Sequence, residues 1–483
     1  LKPMSGSILT SACARASGAC GAMAKPGEET QIFQLATVDL PGLLASPCCK
    51  NALSPVSGFH PGLEVGPLAD PGRMRDAGLC AREAVERLWA QKGRLDELFD
   101  AGQAGLYRCA VEELYPAAGL WGSGGALGNR AGDKLAEIAE AVGGLGDALQ
   151  AAPAETVFVD VCGAPGGWSK YLINMGESRG AKMRGFGFSL RDGTNPLSCA
   201  WYPELMESED FTALWGEDGT GDVSSPSNVA HASAAVGRRA SFVVADGGFG
   251  VSKSPSGEHL ENYQEIVASR VLLAEVRVAL ETMAPGACFV CKFFDTFTQA
   301  TADLLFVLAA LFEDVRIVKP SHSRVVNSER YAVALRGRGA EASGASELLR
   351  AVRAAHEAWP TGPWSGDAPR RLLPAALFAA PGAEAFVASL RAMAEALCRR
   401  QSTALEAVVD RALVLRSQGV DPQKLGGRPA KRRRRHNGAG ASVPAGRPAM
   451  GATLGSVEAL GAGCGAAAAA AAESSEPTPG EKK

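Results

Sequence analysis

The chain has 483 residues, 46% of them hydrophobic, with 49 basic and 52 acidic side chains and a formal net charge of −3. That length carries two or three domains with a sizeable core. The near-even charge excludes a global basic field as the means of holding nucleic acid, though not a local basic groove. The 12 cysteines follow no repeating spacing and point to a reduced intracellular protein rather than a disulfide framework. No apolar run reaches the length of a bilayer-spanning helix.

In chain order, residues 1–75 are rich in Gly, Pro and Ser without sustained periodicity and are expected to be a disordered leader. Residues 1–27 hold no acid and three basic residues, a composition shared by transit peptides and by plain Ala-rich leaders. The chain opens on Leu1, so its natural start is expected upstream. From Ala81 to Ala101, Val85, Leu88, Trp89, Leu95, Leu98 and Phe99 recur at helical spacing. A second helix is expected over Asn129–Ala141.

Strand-like runs then alternate with helical ones. The strands are expected at Val157–Val161, Arg184–Phe188, Ser241–Ala245, Ala287–Phe293, Val315–Val318 and Tyr331–Leu335, with helices over Leu260–Met283 and Gln299–Phe312 between them. This order predicts an α/β fold, a mostly parallel sheet covered by helices on both faces. Residues 339–366 form a link with one short helix, and 383–418 read as helical. From Gly426 the chain turns to a basic cluster, Lys431–Arg435, and then to a low-complexity tail expected to be disordered. The domain reading is therefore a leader (1–75), a catalytic domain with N-terminal helices (76–338), a helical extension (339–425) and the tail (426–483). Cys288 and Cys291 form a CxxC, but inside a strand and without a second ligand pair, so no structural metal is expected.

The first strand ends in "DVCGAPGGWS", where Gly163, Gly166 and Gly167 crowd one strand-to-helix turn. Ligands of open α/β sheets bind beyond the carboxyl ends of the strands. A turn this rich in glycine suggests a close approach of ligand to backbone. The spacing fits neither the dinucleotide GxGxxG nor the P-loop, which needs a Lys-Ser/Thr pair. The stretch resembles the S-adenosylmethionine loop of the FtsJ-like ribose 2′-O-methyltransferases. That resemblance implies a Rossmann-like class I methyltransferase with a seven-stranded sheet, and S-adenosylmethionine as cofactor. It implies that Cys162, Gly163, Ala164, Pro165, Gly166, Gly167 and Trp168, with Asn129, border the cofactor. It also implies that Asp222, in "GDVSSPSN", contacts the adenine. The acid that the family often places after the second strand is not obvious; Asp192 is the nearest.

By the same resemblance Lys134, Asp246, Lys292 and Glu329 match the family's Lys-Asp-Lys-Glu catalytic set. A ribose 2′-hydroxyl must lose its proton as it attacks, and a lysine accepts that proton only when neutral. Free lysine titrates near 10.4, so a base poised near ~8 needs a shift of about two units. Burial and a neighbouring ammonium push that way, while carboxylates oppose it. Lys292 is expected to be the base, with Lys134, Asp246 and Glu329 orienting and tuning it as one coupled set.

"NRAGDK", "ADGGF", "FVCKFFDTFT" and "NSERY" are similar to the cap-specific messenger RNA members of the family. The resemblance implies methylation of the first transcribed nucleotide of capped mRNA, with ribosomal or transfer RNA as the alternative substrate and a non-catalytic RNA-binding module as the second alternative. It places Asn262, Tyr263, Gln264 and Asn327 on the RNA side and makes Lys92 and Arg108 candidates for the capped end. No glycine-patch, guanylyltransferase-like or WW-like segment is read in these residues. The expected partners are the capped 5′ end and the transcription or capping machinery. The Lys431–Arg435 cluster suggests nuclear import, with an organelle or the cytoplasm as alternatives and a phosphate-binding tail as the other reading of the cluster.

Overall fold

The structure is a computed structural model. It describes residues 29–420 apart from 55–56, 58, 61–64, 68–69, 117–129, 144, 146–154, 192, 194–197, 249–259 and 360–366. Asn129, Asp192, the Lys431–Arg435 cluster and the tail lie outside the described residues.

The strands are β1 (Gln31–Leu35), β2 (Val65–Pro67), β3 (Glu155–Val161), β4 (Lys182–Phe188), β5 (Phe211–Leu214), β6 (Ala240–Ala245), β7 (Met283–Phe294), β8 (Phe312–Lys319), β9 (Glu329–Gly337) and β10 (Asp367–Pro369). Eight of them build one sheet in the order β1-β8-β9-β7-β6-β3-β4-β5. The pairs from β7 to β5 are parallel, and β9 runs antiparallel between β7 and β8. All six expected strands fall inside observed ones. β3 is buried at every residue after Glu155, as a central strand covered on both faces must be.

Two features depart from the sequence reading. Residues 29–75 are not featureless: β1 pairs antiparallel with β8, from Gln31↔Lys319 to Leu35↔Val315, and makes the sheet eight-stranded instead of seven. β2 likewise pairs with β10 in a separate two-stranded sheet. A five-residue edge strand has too short a pattern to be seen locally, because its order comes from a partner far along the chain. The seven-stranded expectation presumes a third strand ahead of the Asp222 loop, and the short strand β5 is found there.

One face of the sheet is covered by the helices Arg130–Val142 and Gly167–Glu177, which pack on each other and bury Leu135, Ile138, Trp168 and Leu172 against Phe158, Phe242, Val290 and Val333. The other face carries Pro226–Val236, Gln264–Thr282, Gln299–Leu311 and Ala345–Glu357. Gln299–Leu311 is buried at every position from Ala300 on, because the long helix Glu384–Ser417 packs outside it. Glu384–Ser417 also packs on Arg82–Asp100 and Ala104–Leu114. Among the described residues, no helix is long and apolar enough to cross a membrane.

The CxxC has a plain geometric outcome. Residues three apart on a strand face opposite ways. Cys288 and Cys291 accordingly sit in the two different cores on either side of the sheet, and they cannot share a metal.

Asp303, fully buried on Gln299–Leu311, accepts the Leu372 and Leu373 N–H groups at 2.6 and 3.0 Å and so ties the following segment down. Burial pushes its pKa up to about 7, despite those bonds. An acid with a raised folded pKa keeps its proton in the native state while the unfolded chain releases it. It therefore contributes stability at acid pH that is lost as pH rises from about 4 towards 7. The expected outcome is that Asp303→Asn flattens the fall of Tm between pH 5 and 7, read by thermal melts across that range.

Candidate active site

The glycine turn follows β3, and two of its three glycines, Gly163 and Gly166, have a local cause. Asp160, the last acid of β3, is fully buried; its Oδ2 accepts the Ser169 N–H (3.1 Å) and hydroxyl (2.6 Å). A Cβ on Gly163 would lie 2.0 Å from Asp160 Oδ1. Gly166 has φ +105, and a Cβ there would lie 2.3 Å from Leu205 Cδ1. Cys162 also takes a left-handed φ of +55. So protein atoms occupy the space that side chains at 163 and 166 would need. The sequence reading gave that space to the approach of a ligand; Asp160 and Leu205 take it instead.

The turn borders a cavity of about 480 Å³, lined by Cys162–Pro165, Gly167, Trp168, Ser189, Tyr202, Asp222, Val223 and Asp246. The volume lies within the roughly 300–1,000 Å³ of small-molecule sites. Trp168 is locked by its Nε1–H bond to the Ala131 carbonyl (2.7 Å). Asp222 also lines the cavity, its Oδ1 held by the Ser224 N–H (2.9 Å) and hydroxyl (2.7 Å). Asp222, Asp246 and the glycine backbone give the cavity acidic groups for a cation and main-chain groups for a polar ligand. This donor set fits a positively charged nucleoside.

Asp246 joins the cavity to the charged set. The end of β6 places Asp246, β7 places Lys292, and the start of β9 places Glu329. In the antiparallel register Lys292 lies opposite Tyr331 and Phe294 opposite Glu329, so Lys292, Tyr331 and Glu329 share a face. Helix Arg130–Val142 adds Lys134 from above. Two ion pairs result, Lys134–Glu329 at 2.9 Å and Lys292–Asp246 at 3.1 Å. Lys292 Nζ also donates to the Asp246 carbonyl at 2.7 Å. The Tyr331 hydroxyl joins the pairs: it accepts from Lys134 Nζ (3.0 Å) and lies 2.9 Å from Glu329 Oε1 and 3.4 Å from Asp246 Oδ1.

A family model described as FtsJ-like methyltransferase matches residues 127–337. The cap-specific mRNA (nucleoside-2'-O-)-methyltransferase 1 of Trypanosoma brucei brucei is 36% identical over 336 residues, covering 68% of this chain and 84% of that protein. The protein of the same name in Trypanosoma cruzi is 42% identical over 255 residues, 51% of this chain and 66% of its own length. The human one is 36% identical over 184 residues, only 21% of its length. The chain belongs to the FtsJ-like methyltransferases.

In this methyltransferase the four matched residues lie together, and two further groups escaped the sequence reading. Tyr331 could have been found, since it stands two residues past Glu329 on the same strand. Lys319 gave no such signal. It is buried beneath Glu329, and its Nζ donates among the Glu329 carbonyl (2.6 Å), Asn327 Oδ1 (2.7 Å), the Asn327 carbonyl (2.9 Å) and Ser323 Oγ (3.2 Å).

The charges settle as follows. Burial alone would neutralise Glu329, but Lys134, Lys292 and Lys319 outweigh it and hold the carboxyl well below the usual range. Burial pulls Lys292 down, yet Asp246 and Glu329 win and raise it above its ordinary value. Burial drives Lys319 well below the ordinary lysine value. Tyr331 is raised, by burial and then by Asp246 and Glu329, and keeps its proton.

The residues expected on the RNA side are placed as follows. Gln264 Oε1 accepts the Ser328 hydroxyl (3.0 Å), which brings 262–264 beside 327–328. Asn327 Oδ1 is taken by Lys319. Tyr263 is buried edge-on against Trp89 at 6.0 Å, and the Asn262 Oδ1 is buried without a partner. Lys92 is mostly buried, 3.8 Å from Asp295. Arg108 is half-buried on Ala104–Leu114. Glu265, which the sequence did not single out as a site residue, holds the turn after Lys292 by accepting the N–H groups of Thr296, Phe297 and Thr298 at 2.9–3.1 Å.

Two glycine substitutions should move stability in opposite directions. Gly163→Ala forces a methyl against Asp160 and should cost about 1–3 kcal/mol. Gly93→Ala, on Arg82–Asp100 with nothing within 4 Å of its would-be Cβ, should add about 0.5–1 kcal/mol. Urea unfolding midpoints of the two variants check the pair.

Proposed function

We propose that this chain methylates the ribose 2′-oxygen of the first transcribed nucleotide of capped mRNA, with S-adenosylmethionine as donor and the nucleus as its place of work. One observation carries the reading: Asp246 belongs both to the cavity wall and to the Lys134–Asp246–Lys292–Glu329 set, so a donor in the cavity and a hydroxyl at Lys292 would adjoin. The capped substrate is supported by the relatives named above, each called a cap-specific mRNA (nucleoside-2'-O-)-methyltransferase 1.

S-adenosylmethionine, when bound, supplies a methyl group on a positively charged sulfonium. Cys162–Pro165, Gly167, Trp168 and Asp222 would hold it. The rest of the work is the chain's own. Lys292 Nζ is the group that takes the 2′-hydroxyl proton. In the structure Asp246 keeps it charged, so its proton must first leave. A second positive charge beside Asp246 competes for that carboxylate and lowers the Lys292 pKa. Lys134 neutralises Glu329, and Tyr331 links the two pairs, so that Lys292 can lose its charge without leaving its place.

Lys292→Ala should lower methyl transfer by about 10²–10⁴-fold, the worth of a positioned base, while donor binding by calorimetry changes little. Unchanged transfer would sink the mechanism. Because carboxylates hold Lys292 above its ordinary value, the wild-type rate should climb with pH into the alkaline range, checked by initial rates from pH 6.5 to 10. Equal transfer to uncapped or ribosomal RNA would replace the capped substrate by the alternative.

A further inference from the structure

A buried acid with no part in the charged set lies on the opposite face of the sheet. Glu275, on Gln264–Thr282, is 1% exposed. Its Oε1 accepts the Gly247 N–H at 2.9 Å, and its Oε2 meets the Cys291 thiol at 3.5 Å. A Cβ on Gly247 would lie 2.0 Å from Oε1, so the absence of a side chain there lets the carboxyl reach the main chain. Both contacts are to immediate neighbours of active-site groups: Gly247 follows Asp246, and Cys291 precedes Lys292. Because strand residues alternate, Cys291 faces Glu275 while Lys292 faces the cavity side.

We propose that Glu275 is a positioning residue that braces the Asp246–Gly247 turn from behind and, by ionising, sets the pH at which Lys292 gives up its proton. The inference rests on reading Lys292 as the proton acceptor. The groups that act on Glu275 are Lys292 and Cys291 of β7, Asp246 after β6 and Cys162 after β3. Arg277 and Glu281 of its own helix bond with Arg353 and His356 of Ala345–Glu357, Asp303 of Gln299–Leu311 holds 372–373, and His231 of Pro226–Val236 is exposed. Burial, the largest influence, pushes the Glu275 carboxyl up to about 8, with Lys292 opposing. Glu275 is thus neutral at neutral pH and charged in the alkaline range where Lys292 titrates. Its new charge then favours the protonated lysine and delays its release.

Glu275→Gln keeps the shape and the acceptor for Gly247 but cannot ionise. The Lys292 ¹³Cε signal, assigned by its loss in Lys292→Arg, should move towards its neutral position at lower pH in Glu275→Gln, by about half a unit or more. The alkaline rise in methyl transfer should shift the same way. Glu275→Met also lacks the charge but cannot brace Gly247, so it should show the same displacement together with a lower kcat. Identical Lys292 titrations in wild type and both variants overturn the proposal. The titration needs no turnover: if the wild type methylates no RNA and the signal still shifts, the proposed function falls and the control of Lys292 by Glu275 stands.

Discussion

A charge taken out of water must be matched, and the far end of this sheet takes two ammonium groups and two carboxylates out of water together. Any one left alone would cost several kcal/mol. Lys134 with Glu329 and Lys292 with Asp246 answer each other, and the Tyr331 hydroxyl ties the pairs into one network. Such a network is rigid only if all its members arrive on fixed elements. Three come from neighbouring strand ends, and the fourth comes from a helix pressed on the same face.

The outer helices extend that demand away from the cavity. His356, buried on Ala345–Glu357, sits with Nε2 3.2 Å from the Ser224 carbonyl, two residues past Asp222. Arg277 lies 3.2 Å from the other ring nitrogen, and burial with that cation lowers the histidine to about 4, so the ring stays neutral. Gln401, on Glu384–Ser417, donates to the Val326 carbonyl at 3.0 Å, in the loop that leads to Glu329. The segment after residue 338 is therefore bonded to the loops that carry Asp222 and Glu329 rather than an appendage.

Much of this was legible in the chain. The parallel strands announced themselves because strands covered on both faces read as nearly continuous apolar runs, as Val157–Val161 and Ala287–Phe293 do, each broken by one charged residue, Asp160 and Lys292. The charged set was legible because its members stand in the order the resemblance implies: Lys134 on a helix ahead of the first run, Asp246 just after one, Lys292 within one and Glu329 just before the last. What stayed hidden were partnerships across sequence. β1 has no meaning without β8, Lys319 none without Glu329, and Glu275 none without Gly247. The glycine turn was read for the right place but for an incomplete reason: Gly163 and Gly166 first accommodate Asp160 and Leu205.

The pairing of β1 with β8 also has a consequence in time. Leu35 meets Val315, 280 positions later (315 − 35). A ribosome adding about 5–20 residues per second needs roughly 15–60 seconds to cover that distance. Throughout that interval the first strand has been made and its partner does not exist. The central strands β3, β4, β5 and β6 can pair with one another meanwhile, in the order of their synthesis. On that order of synthesis the sheet grows from its middle outwards, and the earliest made of its eight strands is among the last to find its place.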